Sequence, residues 1–107
     1  MVRQVKSLAE FNAALSEAGN KLVVVDFTAT WCGPCRVIGP KFAKLSEASE
    51  YNNVVFLKVD VDEAADVSSS CGISCMPTFH FYKNGKKIAE FSGADENKLK
   101  EKLNQLK

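Results

Sequence analysis

The sequence lacks several features that would each have pointed to a class of function. It has no charge excess: 14 Lys and Arg stand against 13 Asp and Glu, a formal charge of +1, so no global field draws it to nucleic acid or to an acidic membrane. No run of apolar residues approaches the length of a membrane span; none is longer than Leu22 to Val25. The opening MVRQVKS carries no apolar secretory segment, which makes the cytoplasm the expected location and leaves the nucleus and leaderless export open. A glycine-rich fingerprint for a dinucleotide is missing too. There is no repeat, linker or low-complexity tail, so the 107 residues, 46% hydrophobic and 25% charged, read as one domain, 1–107.

What is present is a regular alternation of elements. A short strand is expected around Arg3–Val5. Ser7 followed by Glu10 reads as a capping box, and Leu8, Phe11 and Leu15 give the apolar face of a first helix that Gly19 stops. Leu22–Phe27 is too continuously apolar for a strand with one wet face and is placed inside a sheet. Pro34 suits a first helical turn, which predicts a helix over 34–48, with Pro40 kinking or interrupting it. Val54–Val61 reads as a strand and Glu63–Ser70 as a short helix. Thr78–Lys83 and Lys86–Ser92 flank Asn84-Gly85, a strong hairpin signal, and Leu99, Leu103 and Leu106 mark a last helix. The order βαβαβαββα predicts an α/β fold, a mixed sheet with helices on both faces.

The four cysteines stand as two pairs, Cys32 with Cys35 and Cys71 with Cys75. Three readings of the first pair are open. It could be half of a zinc site, although the spacing of Cys71 and Cys75 is longer than the usual ligand spacing and His80 lies in an apolar strand. It could be inert. The reading its position favours is a redox pair, because cysteines at i and i+3 across a helix start can bridge and reopen. Cys32 would lie at the helix N-terminus, where free N–H groups and the peptide dipoles favour a thiolate; it is the candidate nucleophile. Cys35, one turn in, is the candidate resolving thiol, and Trp31 shapes one side of an exposed apolar docking surface.

Asp26 ends the run Leu22-Val23-Val24-Val25, where a carboxylate is costly to bury. It either reaches solvent at a strand end or lies beneath the cysteines with a raised pKa and exchanges a proton with Cys35. Met76-Pro77 precedes a strand, where proline is tolerated.

Taken together, FTATWCGPCR, PTFHFYKNGK and FSGA resemble the thioredoxin family in its animal cytosolic branch, over essentially the whole chain. That resemblance implies a central five-stranded mixed sheet flanked by four helices and a general protein disulfide reductase. In such a protein an exposed Cys32 attacks the substrate, Cys35 resolves and Asp26 assists proton transfer. Trp31, Gly33, Pro34 and a cis Pro77 would shape the site, and Trp31, Ile73, Met76, Pro77 and Gly93 would dock substrate. No cofactor is expected on the chain itself; NADPH and FAD would act through a partner, thioredoxin reductase. Implied clients are ribonucleotide reductase, peroxiredoxin and methionine sulfoxide reductase. A redox-dependent protein-binding regulator is the alternative function. Cys71 and Cys75 are either candidate regulatory thiols, with a homodimer bridged through Cys75, or tolerated thiols without a role. Arg36 replaces the family's common lysine, Ala64 stands where relatives often have a further cysteine, and Lys41 is assigned no catalytic duty.

Overall fold

The computed structural model describes residues 1–107 and places ten elements along them. They are β1 (Val2–Gln4), α1 (Leu8–Ala18), β2 (Val23–Thr28), α2 (Gly33–Ser46), a 3-10 turn (Ser49–Tyr51), β3 (Val55–Asp60), α3 (Ala65–Ser70), β4 (Thr78–Lys83), β5 (Lys86–Ser92) and α4 (Glu96–Leu106). The sheet order is β1-β3-β2-β4-β5, parallel among the first three and antiparallel from β2 onward. No helix is long and apolar enough to cross a membrane.

The expected elements are all there, with shifted edges. Ser7 caps α1 as its spacing predicts, its hydroxyl accepting from the Glu10 N–H, while the Glu10 carboxylate takes the Lys6 N–H. The Asn84 and Gly85 φ angles of 54° and 77° let the hairpin turn match the twist of its strands. The helix expected over 34–48 ends at Ser46, and its last residues feed the 3-10 turn instead. Pro40 does not interrupt α2; the helix runs through it, since the proline removes only one of several backbone bonds. The short helix begins at Ala65 rather than Glu63, because the Asp60 carboxylate takes the N–H groups of Asp62 and Glu63 and holds them in a turn.

β2 is buried along its whole length, which explains its unbroken apolar character. One face carries Val24, Phe56, Phe79 and Phe81 under Ile38 and Phe42 of α2 and Leu99 and Leu103 of α4. The other carries Val23, Val25, Phe27 and Leu57 under Phe11 of α1 and Val67 of α3. His80 belongs to this second face: it is buried edge-on to Phe27, its Nε2 is 3.2 Å from Glu90 and its Nδ1 has no partner. Burial lowers its pKa first, with Lys87 adding to the effect and Glu90 opposing it. The unfolded chain therefore binds more protons just below the ordinary histidine pKa, so stability is lost as pH falls through that window. His80→Gln should flatten this acid-side slope in urea titrations; an unchanged slope would show that the imidazole titrates alike in the folded and unfolded chain.

Candidate active site

The topology brings four loops to one end of the sheet. β2 and the parallel β3 both finish there, at Thr28 and Asp60, which are register partners. β4 starts at that end, Thr78 opposite Phe27 and Ser92, and the Gly93 N–H bonds the Pro77 carbonyl at 2.9 Å. Gly93 has φ of 107°, a conformation that a side chain disfavours, although a Cβ there would meet open space.

Cys32 and Cys35 are joined as a disulfide, their Cα atoms 5.3 Å apart. Cys32 is the N-cap of α2: its backbone is extended and its Sγ accepts from the Cys35 N–H at 3.2 Å. The sulfur thus occupies the place of a capping oxygen, where charge on it would be stabilised by the helix terminus. Pro34 lies in the first turn, where its missing N–H costs nothing. One expectation needs correction. Cys32 is only 6% exposed and Cys35 2%, because in the bonded state both pack with Ala29 and Met76 rather than facing solvent. The Met76 carbonyl approaches Cys32 Sγ to 3.8 Å, and Met76-Pro77 is cis.

Around this pair the docking residues divide. Trp31, 64% exposed, and Gly33, Pro34 and Gly93 face outward, Ile73 and Met76 are half-buried, and Pro77 is buried. Pro77 thus shapes the loop rather than offering a contact surface, its ring being covered where the chain enters β4. Trp31 is held by a residue that the sequence reading missed: its Nε1 donates to Asp62 Oδ2 at 2.8 Å. Cys75 is exposed, and hydrogen bonding with Ser92 and then Thr78 pulls its thiol below the ordinary range; Cys71 is half-buried against the Tyr82 hydroxyl at 3.6 Å. No three His, Cys, Asp or Glu side chains converge as a metal would require.

Asp26 lies on the α2 side of the sheet, 2% exposed, with Oδ1 buried and unpartnered. It lines a cleft of about 790 Å³ together with Cys35, Arg36, Pro40, Lys58 and Asp60. Burial pushes its carboxyl from 3.8 up to about 7, against a smaller downward pull from Lys58, its register partner on β3. Asp26 is therefore buried with a raised pKa rather than reaching solvent at a strand end. Lys58 was legible only once the register of β2 on β3 was known.

Comparison with known proteins agrees with this geometry. The thioredoxin family model matches residues 2–105. The chain is 68% identical to a thioredoxin of Ictalurus punctatus over the full length of both, and 57% identical to that of Homo sapiens over 99% of each. Among solved structures, Fasciola hepatica thioredoxin superposes with a TM-score of 0.94 at 42% identity, covering 98% of this chain and 99% of its own. The thioredoxin of Malassezia sympodialis does so with 0.91 at 46%, covering 98% and 92%. With a five-stranded sheet, four flanking helices and a bonded cysteine pair at the head of α2, the chain belongs to the thioredoxin family and is built as a dithiol–disulfide oxidoreductase.

Proposed function

We propose that the protein is a general protein disulfide reductase. The Cys32 thiolate attacks one sulfur of a client disulfide, forming a mixed disulfide and expelling the other client sulfur as thiolate. Cys35 then gives its proton to the Asp26 carboxylate and attacks Cys32 Sγ. The second client thiolate leaves and takes up a proton, and the Cys32–Cys35 bond carries away the two electrons' worth of oxidation. The observation that carries this reading is that bond, seated on the N-cap of α2 and sharing a cleft with a buried carboxyl whose pKa is raised to about 7. An acid–base group poised near neutrality serves both as proton acceptor and as donor.

Reduction of the spent disulfide falls to thioredoxin reductase in this reading, with NADPH and FAD residing on that partner. The clients are disulfide-bearing proteins such as ribonucleotide reductase, peroxiredoxin and methionine sulfoxide reductase, and the working compartment is the cytoplasm. The division of labour between the two sulfurs is tested by limiting alkylation. Reduced protein given substoichiometric iodoacetamide at pH 7 should carry the label on Cys32 before Cys35, read by peptide mass mapping. First labelling of Cys35 would reverse the assigned roles.

A further inference from the structure

Helix α2 carries three charged side chains, Arg36, Lys41 and Lys44, and not one carboxylate between Gly33 and Ser46. All three are exposed in a protein whose formal charge is only +1. Arg36 and Lys44 have no acidic partner, and Lys41 meets Glu96 only at 3.8 Å on the surface. Arg36 moreover follows the first turn closely, where the helix dipole disfavours a cation. The same helix exposes Val37 to 59%, an apolar side chain that neither the core nor the disulfide uses. Pro34, Val37, Lys41 and Lys44 recur at i, i+3, i+7 and i+10, the spacing of one helical face, and every one of them is exposed.

We infer that this outer face of α2 is a docking strip for a client segment with an apolar residue next to its disulfide and carboxylates four to five residues away. The inference rests on the reductase reading, since Pro34 directly follows the Cys32-Gly33 step and makes the strip continuous with the reacting sulfur. Lengths fix the spacing. At about 1.5 Å per helical residue, Lys41 lies roughly 13 Å and Lys44 roughly 18 Å along the axis from Cys32. An extended segment rising about 3.3 Å per residue covers those distances in about four and five residues. The apolar half of the strip, Pro34 and Val37, takes the residues between. A basic client segment would instead meet two cations, Lys44 without an acidic partner and Lys41 only weakly paired, so the strip discriminates as well as attracts.

The test uses symmetric peptide dimers joined by one disulfide, with a residue pair at four and five positions on both sides of each cysteine: Glu-Glu, Gln-Gln or Lys-Lys. Single-turnover rate constants for the reduced full-length protein are followed by Trp31 fluorescence at about 20 mM and about 500 mM salt. The acidic peptide should react roughly tenfold faster than the neutral one at low salt, and the advantage should vanish at high salt, where screening acts within a few ångströms. Lys41→Glu/Lys44→Glu should invert the order toward the lysine peptide. Lys21→Glu/Lys86→Glu, which makes the same charge change at the far end of the sheet, should retain it. Equal rates for the three peptides in the parent protein, or the same inversion in the remote variant, would overturn the strip while leaving the reductase reading intact. Failure to reduce any of the peptides would overturn the reading beneath it.

Discussion

Serine at position 35 should turn the protein from a catalyst into a trap. With Cys35→Ser the nucleophile keeps its N-cap position, captures a client disulfide and then has no neighbour to release it. Resolution must wait for an external thiol, and the lost proximity should lower turnover of insulin disulfides, driven by catalytic dithiothreitol, on the order of 10³-fold. A covalent adduct through Cys32 should accumulate on non-reducing gels. Cys32→Ser should lose turnover as completely but accumulate no adduct through Cys35, because that sulfur lies one turn inside α2 and lacks the N-cap position. Equal adduct formation by the two variants would remove the distinction between attacking and resolving thiol.

Asp26→Asn should raise stability at neutral and alkaline pH and slow client reduction at the same time. An aspartate that is released near 3.8 in the unfolded chain but near 7 in the folded one makes the folded state the better proton binder between those values. Stability is then full below about pH 4, falls as pH rises through the window and levels off above about 7. At about 1.36 kcal/mol per unit the loss totals about 4 kcal/mol, which asparagine, carrying no charge to desolvate, should recover at pH 8 and not at pH 4. His80 and Glu90 have depressed values and slope the other way, so the informative quantity is the difference between parent and variant across pH. Parallel urea curves at pH 4.5 and pH 8 would mean that the carboxyl is not held neutral by burial. A reduction rate unchanged across the same range would dismiss its part in proton transfer.

Most of this architecture was written locally. Ser7 and Glu10, the unbroken Leu22–Phe27 run and Asn84-Gly85 each act through their own neighbours, so spacing alone identified α1, the central strand and the hairpin. The cysteine pair was legible for the same reason, because a helix start, a proline and two sulfurs lie within one turn. What escaped was set by register and by enclosure. Lys58 faces Asp26, and Asp62 reaches Trp31, only because β3 lies beside β2, and nothing in the sequence numbers places them there. The closure of Ala29 and Met76 over Cys32 likewise depends on two loops meeting at one sheet end. Val37 passed unnoticed because a single apolar residue in an amphipathic helix is read as core until the helix is seen to turn it outward.

The double-sided packing of the sheet also bears on how damage would spread. Val24 and Val25 are adjacent in the chain and both wholly buried, yet one serves the layer under α2 and α4 and the other the layer under α1 and α3. Trimming the first loosens the floor on which the reacting helix rests, whereas trimming the second leaves that floor untouched. Their side chains fall in separate apolar clusters on opposite faces of the sheet, so the β2 backbone is what couples the two positions.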